Sequence, residues 1–450
     1  MVEIDDLDRH FAHFGDSGGI TSTLILVNSS STRRATGTVA VRDGQGTPLA
    51  LDVNGTTRQD GAYSFDLPAK GVDFFASGGM ASTAATGSVR VDAEQAVGGT
   101  ILLSGAGLGV AGVAAVQLSA TRFLVPIESN SDSEISTGIA LSNPSGKSVE
   151  VTVRLRQSDG TLVENATSII TLEAQNQIAQ FPDQIFPGID LSQFQGSFEV
   201  ESPVPITGLA IRLSPGQFAT LPVTIAGFGA RRLSFAQFGD GQGTSSTLIV
   251  INPSATQTAT GTARLFDSQG NPLTVDINGT VENGEFSFSI PPQGVEVFAT
   301  DGQGDTLVTG SVEVSSDNFI GGTLLFSGSA GVAGVEAAQR AARFLVPIES
   351  DSLAGVSTGV ALANPGSGTI EVTLTVRDEQ GQALANGTTT LTLGPRGQVA
   401  QFPEQLFSGS GIDFTQFRGT LEISSIVPLA GLAVRLSPGE FATLPVTPVN

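Results

Sequence analysis

The segment Ser22-Thr-Leu-Ile-Leu-Val-Asn28 recurs along the chain with nearly the same letters. Successive terminal asparagines lie roughly 110 residues apart, which is the length of one small β-sandwich domain. The repetition therefore predicts four copies of one fold. The other copies are Ser136-Thr-Gly-Ile-Ala-Leu-Ser-Asn143, Ser246-Thr-Leu-Ile-Val-Ile-Asn252 and Ser357-Thr-Gly-Val-Ala-Leu-Ala-Asn364.

Longer matches indicate that the repeating element is a pair. Arg122-Phe-Leu-Val-Pro-Ile-Glu-Ser129 returns as Arg343-Phe-Leu-Val-Pro-Ile-Glu-Ser350, and Phe14-Gly-Asp16 returns as Phe238-Gly-Asp240. The order is therefore A-B-A-B, with a pair period of roughly 220 residues. The predicted boundaries are 1–8 for an N-terminal tail, 9–120 for β-sandwich A1, 121–230 for B1, 231–341 for A2 and 342–450 for B2.

The strands of each repeat are predicted from alternation. In Val149-Glu-Val151-Thr-Val153-Arg-Leu155 every second residue is apolar, which is typical of a half-buried antiparallel strand. Glycine-containing turns such as Gln157-Ser-Asp-Gly160 follow these strands. We count about seven strands per repeat, which suits two packed antiparallel sheets. Single helical turns are expected only at Pro182–Phe186 and Pro403–Phe407.

Composition excludes several classes of protein. The chain of 450 residues has a net charge of −22 and no cysteine. Nucleic acid and anionic membrane surfaces would be repelled by this charge, so we expect neither as a partner. Without cysteine there is no disulfide and no thiolate metal site. No apolar run of about 20 residues is present, so membrane insertion is not expected.

The strand rhythm and paired repeats over residues 9–450 resemble the tandem immunoglobulin-like and fibronectin-type-III-like β-sandwich repeats of bacterial secreted or surface proteins. The chain lacks the tryptophan and cysteine pair of antibody-type domains. The resemblance implies a spacer, adhesin or filament role outside the cell. The acidic start Met1-Val-Glu-Ile leaves two alternatives, a cytoplasmic protein or a removed secretion signal; we favour removal, and hence an extracellular or cell-surface location.

Candidate catalytic residues are few. His10 and His13 are the two histidines of the chain, and a Ser-His-Asp triad would have to be built on them. A zinc site needs at least a third ligand, and the matching segment 233–237 has no histidine. The acidic residues recur in several copies, whereas a catalytic carboxylate pair normally occurs once. We therefore expect no enzyme, no catalytic residue, no metal ligand and no cofactor.

Two binding hypotheses stay open at this point. Glu128-Ser-Asn130-Ser-Asp132-Ser-Glu134 has oxygen side chains at every second position, as calcium would require. Repeat B2 keeps Glu349 and Asp351 but continues with Leu353, so we favour a solvated acidic loop. Sugar binding would use exposed aromatic faces.

Tyr63 is the one tyrosine, and Phe74 and Phe75 are the aromatics that core packing explains least. The glycine-rich segments 104–109 and 327–331 are predicted to be loops, because no phosphate-binding lysine follows them.

The joins between repeats are short, which favours a semi-rigid rod or a packed zigzag over flexible beads. Arginines cluster at these joins and are expected to pair with carboxylates across each interface. Head-to-tail self-association is also expected, with Thr447 to Asn450 meeting the N-terminal segment of another chain.

The leading hypothesis is a non-enzymatic extracellular structural protein in which the sandwiches stack end to end, as a stalk, surface fibre or filament subunit. The alternatives are an adhesin or carbohydrate-binding array, and the accessory region of a longer secreted enzyme. Other surface proteins are the remaining partner class.

Overall fold

The computed structural model describes residues 7–16, 19–79, 85–105, 107, 109–114, 120–329 and 331–449. The chain is nearly all β, with 2% helix, which confirms the predicted class. Both helices, α1 (Pro182–Ile185) and α2 (Pro403–Leu406), lie where a proline was expected to open a single turn. Most of the predicted N-terminal tail, residues 1–6, lies outside the described residues.

The first two repeats contain eighteen described strands. Repeat A1 has β1 (Arg9–Asp16), β2 (Ile20–Asn28), β3 (Ala35–Asp43), β4 (Leu51–Val53), β5 (Thr56–Arg58), β6 (Ala62–Leu67), β7 (Val72–Ala76), β8 (Ala85–Ala93), β9 (Val97–Gly105) and β10 (Gly109–Ala114). Repeat B1 has β11 (Ala120–Asn130), β12 (Ile135–Ser142), β13 (Val149–Gln157), β14 (Leu162–Leu172), β15 (Gln177–Gln180), β16 (Gln193–Ser214), β17 (Gln217–Leu221) and β18 (Thr224–Ile225).

The last two repeats follow the same plan, so the described strands exceed the predicted seven per repeat. Repeat A2 has β19 (Ala230–Asp240), β20 (Ser245–Ile251), β21 (Ala259–Asp267), β22 (Thr274–Ile277), β23 (Thr280–Asn283), β24 (Glu285–Ile290), β25 (Val295–Ala299), β26 (Val308–Gly328) and β27 (Gly331–Glu336). Repeat B2 has β28 (Ala341–Asp351), β29 (Val356–Ala363), β30 (Ile370–Asp378), β31 (Ala383–Leu393), β32 (Gln398–Gln401), β33 (Gln416–Ser437), β34 (Glu440–Leu444) and β35 (Thr447–Pro448).

Long strands join the two layers in three of the repeats. The first half of β16 pairs antiparallel with β11 and β13, and its second half pairs with β12 and β17. β26 and β33 do the same, so the three larger sheets curl into half-barrels. In repeat A1 two strands, β8 and β9, replace the long strand, which leaves two four-stranded sheets.

The recurring asparagine ties one strand end to two neighbouring segments. Asn28 is fully buried, and its Nδ2 donates to the carbonyls of Arg33 (2.8 Å), Leu67 (3.0 Å) and Pro68 (2.9 Å). The asparagines of the other repeats make the same set of bonds. An amide that satisfies buried carbonyls explains why this letter is kept in all four copies.

An equivalent turn in each repeat contacts a neighbouring repeat through a backbone hydrogen bond. Backbone N–H groups donate across the joins from Gln177 to Gly44 (3.1 Å), from Val295 to Ser158 (2.8 Å) and from Gln398 to Ser268 (3.0 Å). The fourth bond runs from Val72 of repeat A1 to Glu379 of repeat B2 (3.0 Å). The last repeat therefore packs against the first, and the four repeats close into a ring. This corrects the expected rod or end-to-end stack.

One strand from each repeat, β10, β17, β27 or β34, lies at the centre of the ring, where the four strands meet. A Cβ at Gly112 would lie 2.1 Å from the carbonyl oxygen of Thr443, and one at Gly334 would lie 2.0 Å from that of Thr220. The hydroxyl of Thr220 donates to the carbonyl of Gly112, and that of Thr443 donates to the carbonyl of Gly334. Glycine is required at both positions because backbones touch there.

The apolar residues buried in the described chain form four clusters, and each cluster draws on two adjacent repeats. The cluster inside repeat B2, for example, includes Ile25, Val72, Phe74 and Leu102 of repeat A1. Buried residues alternate with half-buried or exposed ones in strands such as β13, as predicted, but β2 buries Leu24 to Asn28 without interruption. Strands covered on both faces read as continuous apolar runs.

Gly381 allows a direct test of ring closure. It lies at φ +75°, and a Cβ there would be 2.1 Å from the carbonyl oxygen of Ala69 in repeat A1. Gly439 has the same φ, but a Cβ there would meet nothing within 4 Å. We expect Gly381→Ala to lower the free energy of unfolding by about 1–3 kcal/mol more than Gly439→Ala.

Chemical denaturation of both variants measures this difference. Gly439→Ala controls for the cost of a left-handed backbone, because both substitutions pay it equally. Equal losses would contradict the closure contact.

Candidate functional site at the joins between repeats

A glutamate lies beside the join in three of the repeats, buried in two of them and half-buried in the third. Glu199 on β16 has a side chain that is 3% exposed. Its Oε1 accepts hydrogen bonds from Arg122 Nε (2.8 Å) and from Gln293 Nε2 of the next repeat (3.0 Å), and its Oε2 accepts from Arg156 Nη2 (2.6 Å). Arg156 also donates to the carbonyl of Gly160 in the joining turn (2.8 Å). The carboxylate therefore braces the turn that carries the ring contact.

Glu422 on β33 repeats this arrangement between the last repeat and the first. Its Oε2 accepts from Arg377 Nε (2.8 Å) and pairs with Lys70 Nζ of repeat A1 (3.1 Å), while Arg343 bonds its Oε1. Lys70 reaches the carboxylate from a left-handed backbone, at φ +63°. The same conformation recurs at Gln293, which bonds Glu199.

The join between repeats A2 and B2 uses the same parts in another order. Glu313 pairs with Arg340, and Phe266 replaces the turn-bracing arginine. Arg396 of repeat B2 stacks on the Phe266 ring, 5.6 Å from its centroid. The cation is thus supplied by the other side of the join. At the matching position of repeat A1 stands Arg90, paired with Asp8 (2.9 Å) and Asp92 (2.6 Å).

The pKa shifts follow the number of cations around each glutamate. Burial alone would raise the pKa of Glu199 and Glu422, but their arginine partners outweigh it and the pKa of each is lowered. Glu313 has fewer cationic partners, so burial prevails and its pKa is raised. Burial lowers the pKa of Lys70, against the opposing effect of Glu422. Glu199 and Glu422 therefore stay ionised and hold their repeats together.

The arginine prediction needs a correction. Arg122, Arg340 and Arg343 do pair with carboxylates, but their partners lie in the same repeat. Among the described residues, Gln293 and Lys70 donate hydrogen bonds across a join to a carboxylate. Sequence reasoning missed these because the glutamates that they contact lie 94 and 352 residues away along the chain. Their left-handed position before a glycine, in Gln293-Gly and Lys70-Gly, is the signal that was available.

Removing the charge of Glu422 should destabilise the fold. Glu422→Gln leaves three buried or half-buried cations without their anion, so we expect a loss of about 3–5 kcal/mol in the free energy of unfolding. Glu371→Gln, at an exposed position of β30, should change it by no more than about 0.5 kcal/mol.

The pH dependence of this loss has a defined sign. Because the folded pKa of Glu422 is lowered from 4.5, its contribution is complete above that pH and is lost as the pH falls through the lowered value. Denaturant titrations of wild type and Glu422→Gln should converge on acidification. A wild-type curve that stays parallel to that of the variant would exclude this role.

The histidines lie at the join between repeats A1 and B1 or inside A1. Gln177 Nε2 lies 3.2 Å from His13 Nδ1, within hydrogen-bond distance. Burial lowers the pKa of His13 to about 4, and burial followed by the charge of Arg90 lowers that of His10 to about 4. In repeat A2 the counterpart of His13 is Gln237, whose Oε1 accepts from Gln398 Nε2 (2.6 Å). A glutamine can thus do the same structural work.

His13 should make the fold sensitive to mild acid. Between pH 6.5 and 4 the unfolded chain binds a proton at this residue that the folded chain does not, so stability falls as the pH falls. We expect the residue to account for at most about 3 kcal/mol over that window. His13→Gln should flatten the pH profile of the melting temperature, and Gln237→His should steepen it. Unchanged profiles in both variants would refute the assignment.

The acidic loop of repeat B1 does not gather its oxygens. Glu128 bonds Arg212, Asn130 Oδ1 caps the backbone of Asp132 and Ser133, and Asp132 accepts from Gln193. No group of three or more His, Asp or Glu side chains suited to a metal ion occurs in the part of the chain that the structure describes. These hydrogen bonds make the loop a capped turn.

The aromatic candidates for sugar binding are placed in the interior. The Tyr63 hydroxyl donates to the carbonyl of Leu51 (2.5 Å), and Phe74 is 4% exposed within the cluster of repeat B2. Phe75 packs against the cluster of repeat A1. Neither phenylalanine offers an open platform. The loop segments 104–109 and 327–331 join hairpin strands, although residues 106, 108 and 330 lie outside the described residues.

A cavity of about 430 Å³ opens between repeats B1 and A2. Its polar lining includes Glu128, Arg212 and Gln195, and its apolar lining includes Ile249 and Val297. Arg212 Nε donates to Glu128 Oε2 at 2.8 Å. The size and the mixture of an apolar wall with a few convergent polar groups are typical of a small-molecule site. Sequence analysis missed it because the cavity is formed by residues of two repeats.

Among the described residues, the structure contains no helix of the length and apolarity needed to span a membrane. No protein-family profile matches the chain, and no curated protein matches it. A solved structure of glycoside hydrolase family 32 from Bifidobacterium adolescentis is 9% identical, over 94% of this chain and 98% of that one, with a TM-score of 0.12. A likeness at that level carries no argument about fold or activity.

Proposed function

We propose that the chain is a non-enzymatic extracellular structural protein built from four immunoglobulin-like or fibronectin-type-III-like β-sandwich domains in the order A-B-A-B. In this proposal the domains form a rigid ring that serves as a building unit of a stalk, surface fibre or filament. The boundaries between the four domains would lie close to residues 120, 230 and 341.

The observation that carries the proposal is the position of the buried and half-buried glutamates. Glu199, Glu313 and Glu422 are each paired with arginine beside a join between repeats. Burying a charge at an interface costs desolvation energy, and what such a charge contributes in return is one fixed geometry of the interface. A rigid particle held in this way suits a mechanical role.

The net charge and the absence of cysteine are consistent with an extracellular protein. The net charge of −22 favours solubility and opposes contact with nucleic acid. The absence of cysteine makes the fold indifferent to the redox state of its surroundings.

Self-association needs a surface other than the expected one. Thr447 and Pro448 pair with β28 as Thr224 and Ile225 pair with β11. A Cβ at Gly98 of repeat A1 would lie 2.1 Å from Thr447 Oγ1, so this surface is covered by the chain's own C-terminal strand. In the proposal, other surface proteins or further copies attach to the outer faces of the ring.

Gold-labelled antibody against the purified chain tests this proposal on the producing cells. We expect label on unbroken cells, concentrated on stalks, fibres or filaments. Label that appears only after the envelope is opened would overturn the extracellular location. Release of soluble product from a polysaccharide panel would overturn the non-enzymatic role. Retention of intact glycans by isolated rings would favour the adhesin alternative.

A further inference from the structure

The two B-to-A interfaces of the ring are equivalent in sequence but differ in what fills them. At the interface between B2 and A1, the guanidinium of Arg418 lies over the ring of Phe74, 4.8 Å from its centroid. Arg418 Nη2 also donates to Glu349 Oε1 at 2.7 Å. Arg435 Nε donates to the other carboxylate oxygen, Oε2, at 2.7 Å. One glutamate thus serves two guanidinium groups.

At the interface between B1 and A2, both filling side chains are replaced. The register places Val297 opposite Ile249 as it places Phe74 opposite Ile25. Gln195 holds the position of Arg418, directly before the glycine of the long strand. The cavity of about 430 Å³ lies at this place, and both Val297 and Gln195 line it.

The carboxylate of the cavity keeps one of its two partners. Glu128 is the counterpart of Glu349, and its Oε2 accepts from Arg212 as Glu349 Oε2 accepts from Arg435. The side chain of Glu128 is 34% exposed, against 14% for Glu349. Glu128 is more exposed than Glu349 because Gln195 takes the place of the arginine that covers Glu349. Gln195 stands where Arg418 supplies a second guanidinium to Glu349 in the equivalent interface.

We propose that the cavity between B1 and A2 is a binding site for a small organic cation that carries a guanidinium or amidinium group on an aromatic body. The planar cation replaces the Arg418 head and bonds Glu128, since planar N–H pairs match a carboxylate. The aromatic body replaces the Phe74 ring and covers Ile249 and Val297. This site goes beyond the structural role proposed above.

Benzamidine is a suitable probe, with neutral benzamide as its isosteric control. Both are titrated into the intact chain and followed by ligand-observed NMR and calorimetry. We expect one saturable benzamidine site per chain, with Kd on the order of 0.1 mM for a ligand of this size. Benzamide should bind at least about tenfold more weakly, because it lacks the charge that Glu128 attracts.

Exchanging side chains between the two interfaces provides matched variants. Gln195→Arg with Val297→Phe fills the cavity and should abolish benzamidine binding. Phe74→Val with Arg418→Gln empties the equivalent interface and should raise the stoichiometry from one site to two. Glu128→Gln should weaken binding at least about tenfold while the cavity is kept.

Melting temperature and gel filtration verify that each variant is folded. If the emptied variant does not fold, the filled variant and Glu128→Gln still decide the matter. The proposal is overturned if benzamidine does not saturate the wild-type chain, if the filled variant binds it equally well, or if benzamide binds with the same affinity.

Discussion

The ring depends on backbone meeting backbone without a side chain between. At each join a glycine with positive φ lies against a carbonyl of the next repeat, and at Gly160 and Gly270 a Cβ would come within 2.0 Å of that oxygen. Gly112 and Gly334 meet threonine carbonyls at the centre under the same restriction. Close approach of this kind fixes both distance and angle, because no flexible side chain can absorb an error. The relative orientation of the repeats is therefore set by glycine positions.

The buried carboxylates then stiffen an arrangement that sterics has already selected. Glu199 and Glu422 are paired with guanidinium groups. Glu313 pairs with Arg340 of its own repeat and lies in the field of Arg396 from across the join. Each of these three glutamates is paired with a cation, although the residue that supplies the cation differs from one join to the next. The same tolerance permits one B-to-A interface to be filled by Phe74 and Arg418 while the other is left open. Near-symmetry makes the difference between the interfaces interpretable.

Local patterns were enough to predict the strands but not the ring. Three features could be predicted because each depends on residues of a single repeat. They are the alternation in β13, the two proline-initiated turns and the recurrent asparagines. Phe74 could not be assigned because its neighbours belong to a repeat at the other end of the chain. The continuous apolar run in β2 was the available sign of a second buried face. The cavity could not be predicted, because the residues that leave it open are recognised only by comparing equivalent positions of the two interfaces. That comparison requires the register of the strands.

Ring closure imposes an order on biosynthesis. Lys70 and Glu422 are separated by 352 residues, so the first repeat emerges long before the surface that covers it. At bacterial or eukaryotic elongation speeds this interval lasts about 20 to 70 s. During that time Ile25, Val72 and Phe74 have no partner surface, and the nascent chain presents an apolar sheet face to its surroundings. This apolar face of the first repeat is therefore covered only after the last repeat has been made.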